Sequence, residues 1–390
     1  MRLIEDFNAV PTLRFLMVTR IVIWAWNHPN IVRSISQMLD NLNEIEVEQM
    51  WEEILDHVRA IVQSIVGIPE GVRPDLDAVI IPIGFHIREM RTFMNYCPFL
   101  PSSHIEFPVD FWTPYGTVDI TRQDAIQVRN ERRQMGFRYN LACHDCFEDM
   151  VEELFPLLTP PLIYDFRQMN PQNELLSYWT HRMMESLEYF VLLNFFVDVG
   201  GGPNVANKLA FQYTLKDGSK SGIEYFSRKL PFEDFEYVTR YFLFYLDERP
   251  DTLWTRAGFL PIPPKEHYSD STYFLLSRFD EEQRNTILPG LHTAVMLNFL
   301  MYPFYGLFNT YGNIWRSNFS CQDFEQLLTR IVILRILNTN FFEYHLFADL
   351  YRSCPEAYKL EIRNSATERH NAGNLVAGLM LELMTNFDAR

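Results

Sequence analysis

The sequence predicts a mainly α protein with a minor β part: a multi-helix globular chain with a small β-hairpin region and long Pro-rich loops. Three observations lead there. Apolar residues recur at helical spacing, most clearly Val47, Met50, Trp51, Ile54, Leu55, Val58, Ile61, Val62 and Ile65, a stripe that a 3.6-residue repeat brings onto one face. No Lys, Arg, Asp or Glu occurs between Arg284 and Arg316, and a helix apolar on all sides must be buried. The best strand-like alternation is in one place, Phe211, Tyr213 and Leu215, then Ile223 and Tyr225, where the period is two.

Taken in order, residues 13–26 form a short, strongly apolar helix or strand, and 31–45 are amphipathic. Residues 44–66 are the clearest helix, with Gly67 as its cap and Pro69 preventing continuation. From 68 to 121, seven prolines, from Pro69 to Pro114, make an irregular, aromatic-rich segment, with a short strand at 78–83. Helices follow at 122–134 and 141–157. A long helix spans 172–197 and stops at Gly200-Gly201-Gly202-Pro203. The hairpin covers 209–226 and turns through 216–222. Helix resumes over 232–248. The loop 249–270 holds Pro250, Pro261, Pro263 and Pro264, and a loop of that length is usually functional or an arm that grips something.

The neutral stretch 285–315 supplies the buried core helix, ended or kinked near Pro303, where a helix bond is lost. Helices at 321–338 and 340–352 follow. The last helix opens on Ser365-Ala366-Thr367-Glu368, a capping-box pattern. Two lobes are expected, 1–199 and 200–390, with the triglycine as boundary. The first is mainly helical and includes the irregular segment 68–121. The second holds the hairpin, the long loop and a buried helical core over 286–386.

Residues 291–308 are long enough for a membrane span, which needs about 20 apolar residues. His292, Thr293, Asn298 and Pro303 interrupt it, and no Lys or Arg cluster flanks it to set orientation. Mean hydropathy of the chain is -0.13. A membrane-associated protein anchored through 291–308 is therefore the second alternative, and a buried core helix with no membrane span is the expectation.

The formal charge of -16 argues against nucleic acid as the main partner, because phosphate binding runs on Lys and Arg. Direct sequence-specific nucleic-acid recognition is not expected. Five cysteines, an odd and sparse set, argue against a disulfide framework and for a reducing compartment such as the cytosol. Residues 1–26 do not read as a secretory signal, since Glu5, Asp6, Arg14 and Arg20 interrupt them.

Four constellations merit weighing. Cys143-His144-Asp145-Cys146 carries thiols at a spacing that can ligate zinc, but no second C-x-x-C completes a set. Cys143 and Cys146 are thus candidate metal residues against the plainer reading of ordinary cysteines on a helix. Gly200-Gly201-Gly202-Pro203 with Lys208 hints at a phosphate loop but lacks the Gly-Lys-Ser/Thr pattern, which leaves a helix stop. Arg129, Arg132, Arg133 and Arg138 form the one dense basic cluster. They are candidates for partner contact, against the alternative of a solvated helix face. His181 and Glu185 lie one turn apart without making H-E-x-x-H. There is no G-x-S-x-G, no cofactor motif and no recognisable catalytic set, so the chain is not expected to be an enzyme.

In size, in mainly helical make-up with a minor β part and in lack of an active-site motif, the chain resembles the clamp or protrusion proteins on the inner shell of turreted double-stranded RNA viruses, the reovirus-like group. No residue motif carries this likeness, so it assigns no site residues. It implies a structural capsid protein that stabilises an inner shell by protein–protein contacts. Its partners would be other capsid subunits, in many copies per particle, and its place the virion and the host cytoplasm. The alternative is an all-α enzyme or metal-binding protein using Cys143 and Cys146.

Overall fold

The computed structural model describes residues 7, 11–41, 43–96, 112–113, 120–168, 174–217, 219–248, 267–300, 302–336 and 345–388. The described residues are 79% helical with no strand among them, so the mainly α expectation holds and its β part is not supported. Contacts divide it into two compact units, Met1–Val118 with His292–Arg390, and Asp119–Leu291. The expected boundary at 199/200 thus falls inside the second unit.

The chain opens the first unit with α1 (Leu13–Trp26), α2 (Pro29–Leu39), α3 (Glu44–Ser64) and α4 (Arg73–Tyr96). Thr12 and Asn43 begin α1 and α3 by accepting from the backbone N–H of Phe15 and Ile45, which satisfies donors that the first turn leaves without partners. The α3 stripe faces inward: Trp51, Ile54, Leu55, Val58 and Val62 are buried. Each such side chain contributes about 1.5–3 kcal/mol by leaving water.

Helix α4 overturns the expected strand at 78–83 and part of the expected irregular segment. Pro82 lies inside it, although an interior proline costs about 3 kcal/mol. Leu76, Val79, Ile80, Ile83 and Ile87 are buried at helical spacing on both sides of the proline, and their packing outweighs that cost. Residues 97–111 and 114–119 of the irregular segment lie outside the described residues, as do 249–266 of the long loop.

The second unit holds α5 (Ile120–Arg129), α6 (Met135–His144), α7 (Glu148–Leu154), α8 (Pro160–Phe166), α9 (Glu174–Met183), α10 (Leu187–Leu193), α11 (Val205–Asp217), α12 (Lys220–Lys229), α13 (Phe232–Glu248), α14 (His267–Leu276) and α15 (Glu281–Ile287). The hairpin expected at 209–226 is α11 and α12. Leu209, Ala210, Phe211, Tyr213, Thr214 and Leu215 are all buried. A helix buried on nearly every side has no polar face, so its 3.6-residue signal vanishes and a chance alternation remains. Ser219 then caps α12 by accepting from Gly222 N–H. A Cβ on Gly222 would come within 2.4 Å of Thr214 Cγ2, so glycine here lets α12 lie directly on α11. Aromatic rings fill the space around them: Phe211 stacks on Phe235 at 5.0 Å, and Tyr178 meets Phe190 and Phe226 edge-on at 5.5 and 5.6 Å.

The helices expected at 141–157 and 172–197 are each broken, at positions that carry no glycine. Cys146 N–H bonds to Cys143 O and Phe147 N–H to Ala142 O. Glu185 N–H bonds to Arg182 O and Ser186 N–H to His181 O. Both are the paired 5→2 and 6→1 bonds that end a helix through one left-handed residue. Cys146 and Glu185 each take φ 54°, where a Cβ is disfavoured. Gly373 (φ 92°) makes the same pair of bonds after α20 (Glu356–Asn371), with the residue usual for it.

The chain returns to the first unit with α16 (His292–Phe299), α17 (Tyr305–Trp315), α18 (Cys321–Ile336), α19 (His345–Ser353), then α20 and α21 (Leu375–Asp388). Pro303 sits between α16 and α17, as expected. Every residue of α16 from Thr293 to Phe299 is buried. Phe7 packs on Phe299 and Tyr311, and Phe15 on Tyr302, which joins the two chain segments of this unit. Ser365 lies within α20 rather than at a helix start, and its hydroxyl donates to Glu325 Oε1 at 2.7 Å. Capping boxes stand instead at Asp280–Gln283 before α15 and at Ser320–Asp323 before α18. No described helix is long and apolar enough to cross a membrane.

Candidate functional site

The polar chemistry of the second unit gathers around the end of α6. The left-handed turn at Cys146 sends the chain from α6 into α7 within a few residues. His144 and Asp145 therefore stay at the helix end while Glu148 opens the next helix. Asp124 arrives from α5. One possible ligand atom from each of Asp124, His144 and Asp145 lies within 4.8 Å of the others. His144 Nδ1 is 3.4 Å from Asp145 Oδ1, and Ser221 Oγ donates to that same oxygen at 3.3 Å. Ser219 Oγ donates to the His144 carbonyl at 3.3 Å, which ties the start of α12 to this turn. Burial, then the Asp145 charge, then a hydrogen bond shared with Asp145 push the Asp124 carboxyl well above the usual carboxylate range, while the His144 charge opposes them.

Beside it, Glu148 collects donors. Arg182 bonds to its Oε1, Tyr225 OH donates to Oε1 at 2.9 Å, and Lys229 Nζ stands 3.1 Å from Oε2. Burial alone would raise the Glu148 carboxyl, but the hydrogen bonds from Lys229 and Tyr225 and the charges of Arg182 and Lys229 hold it below its ordinary value. The Arg182 guanidinium also lies over the Trp179 ring at 4.9 Å. Glu148 stands in the first turn of α7, where a negative charge is favoured. The cluster fastens α7, α9 and α12 together.

The expected site residues fall as follows. Cys143 is fully buried and Cys146 nearly so, and burial drives the Cys143 thiol well above its ordinary value. Neither cysteine joins the Asp124, His144 and Asp145 group. In the first unit, Cys321 and Cys354 are pushed up to about 11, chiefly by burial.

Of the basic cluster, Arg129 and Arg132 are exposed. Arg133 Nε donates to Gln127 Oε1 at 3.0 Å and Arg138 Nε to the Val128 carbonyl at 2.6 Å. The second of these satisfies a carbonyl in the last turn of α5, where intrahelical partners are missing. Two of the four arginines therefore hold the α5–α6 corner, and two are presented outward.

Lys208 is almost wholly buried. Its Nζ donates to Gly201 O at 2.8 Å and stands 3.4 Å from Asp234 Oδ1. The triglycine is a loop held from within its unit by this lysine. His181 contacts Ser186 Oγ and the Arg167 carbonyl, each at 3.0 Å, and burial lowers its basicity.

A surface feature completes the picture. Helix α10 buries Phe190, and Asn194 just after it is anchored by bonds to the Phe190 carbonyl and from Tyr213. Its other side faces outward with Tyr189, Leu192 and Leu193, followed by Phe195 and Phe196, which are 83% and 70% exposed. Sequence spacing placed Leu187, Phe190 and Val191 on one helix side but gave no sign that this tip would be uncovered. Asp124 likewise was not singled out, because it is distant in sequence from His144 and stands alone in a polar helix.

The described residues form a two-unit, mainly α protein with a carboxylate–imidazole cluster and an exposed aromatic tip. Comparison of the chain with protein-family models, with curated proteins and with solved structures finds no match.

Proposed function

We propose that this chain is a structural subunit that acts by protein–protein contact, with the α10 tip as a principal contact surface. The observation that supports this is the run Tyr189, Leu192, Leu193, Phe195 and Phe196 held outward on a well-anchored helix. Contiguous apolar surface of this kind marks interaction sites on water-soluble surfaces, and buried aromatics are the usual energetic anchors of interfaces. The narrower form of the proposal is the clamp role implied by the resemblance to turreted double-stranded RNA virus proteins. The neighbours would then be shell subunits, present in many copies, in the virion and host cytoplasm. On this reading the chain is not an enzyme, and Arg129 and Arg132 supply a second, polar contact.

The test is the association of the full chain measured by light scattering, alone and with its native assembly. The paired substitution Phe195→Ser and Phe196→Ser should leave helical content unchanged and weaken association about 100-fold, as loss of two anchors does. A chain that stays monomeric, and binds its source assembly equally well with and without the two phenylalanines, would overturn the proposal.

A further inference from the structure

The cluster at the end of α6 poses an electrostatic question that its protein partners do not answer. Asp145 has a side chain only 5% exposed. Its Oδ1 is met by Ser221 and His144, while its Oδ2 is buried with no N–H or hydroxyl donor among the described residues. The carboxyl it faces belongs to Asp124, itself half-buried. Two carboxylates facing each other away from water repel, and buried charges persist only when paired or when they coordinate a metal.

We propose that Asp124, His144 and Asp145 form a divalent-cation site for an ion of the Zn²⁺ or Mn²⁺ class. The donors suit it: an imidazole nitrogen suits Zn²⁺, and carboxylate oxygens suit both ions. The spacing suits it as well. Ligands about 2.0–2.2 Å from one ion stand about 3.0–3.5 Å from each other, and His144 Nδ1 and Asp145 Oδ1 are 3.4 Å apart. All three donors already converge within 4.8 Å, so small side-chain rotations close the set. The His144 side chain, 35% exposed, leaves a route from solvent. Three protein ligands leave room for water on the ion.

The ion's role would be to staple. Asp124 belongs to α5, His144 to the end of α6, and Asp145 is bonded to the first turn of α12 through Ser221. Binding to the folded state alone stabilises it by mass action.

The experiment is calorimetric titration of EDTA-dialysed full-length chain with ZnCl₂ and with MnCl₂ at neutral pH, alongside thermal unfolding. One ion per chain should bind. The unfolding midpoint should rise by about 5 °C at ~100-fold excess over Kd. Asp145→Asn should weaken binding about 100-fold, and so should Asp124→Asn, which guards against an Asp145 variant that fails to fold. Cys146→Gly should bind as the unaltered chain does. The proposal is overturned if the unaltered chain takes up neither ion at about 1 mM, in which case the two aspartates hold a proton between them. It is equally overturned if both aspartate variants bind as well as the unaltered chain.

Discussion

The indole of Trp26 occupies the place where a side chain on Gly84 would stand. A Cβ built on Gly84 would lie 2.0 Å from Trp26 Cζ2, and Trp26 Nε1 donates to the Ile80 carbonyl at 3.0 Å. The same ring stacks on Trp51 at 5.4 Å. Helices α1, α3 and α4 therefore meet at one aromatic pair, and the absence of a single methyl group on α4 permits it. Gly84→Ala should destabilise the first unit by about 3 kcal/mol, the upper range for overpacking a filled core. Gly71→Ala, with open space around it, should change stability by under about 0.5 kcal/mol. Hydrogen exchange across α4 separates the two outcomes.

The left-handed caps make a second prediction. Glu185 is exposed and pays for a Cβ in a region where glycine fits without one. Glu185→Gly should stabilise the second unit by about 0.5–1 kcal/mol, and Gly373→Ala should destabilise the first by about 1 kcal/mol. Thermal unfolding of the two variants should thus move in opposite directions. Equal shifts would contradict the cap assignment.

Glu148 should behave as the centre of its cluster. Glu148→Gln keeps the shape but removes the charge that Arg182 and Lys229 share. A hydrogen bond to a charged group is worth about 1.5–3 kcal/mol, so a loss of about 2 kcal/mol is expected in denaturant unfolding of the second unit. Glu153→Gln, on the exposed side of α7, should be silent by comparison.

Acid should weaken the second unit in two stages. His181 is held neutral by burial, below its ordinary value of 6.5, so the unfolded chain binds more protons there. Its contribution is present above pH 6.5 and is lost as pH falls through the lower folded value. Glu148 is held below its ordinary 4.5, so its contribution is present above pH 4.5 and is lost below. Hydrogen exchange in α9 should accelerate first on descending past pH 6.5 and again past pH 4.5. His181→Gln should abolish the first stage alone. His292 in the first unit, also lowered by burial, should add a separate loss there in the upper window.

How much of this was legible beforehand depends on the kind of signal. Helix α3 was plain, because Trp51, Ile54, Leu55, Val58 and Val62 repeat at the helical period and do bury one face. The burial of α16 and the break at Pro303 followed from the missing charges and the missing N–H. The breaks at Cys146 and Glu185 were not legible, since neither residue type announces a left-handed turn. Nor was the helical state of 209–226, whose even burial erases periodicity. At the candidate site, the visible spacing motif is that of Cys143 and Cys146, which only flank the relevant pair. Their sulfurs turn inward, while His144 and Asp145 between them meet Asp124.

By itself, then, the amino-acid order determined that this protein is built of helices, where most of them lie, and that the middle of its neutral segment is buried. Those are local properties, carried by periodicity and composition within a few turns. Tertiary structure alone decided that residues near 7–26 share a unit with those near 299–311, that Gly84 makes room for Trp26, and that Asp124 faces Asp145. Such pairings join residues far apart in the chain. They depend on the shape and charge of surfaces that exist only once the helices have packed.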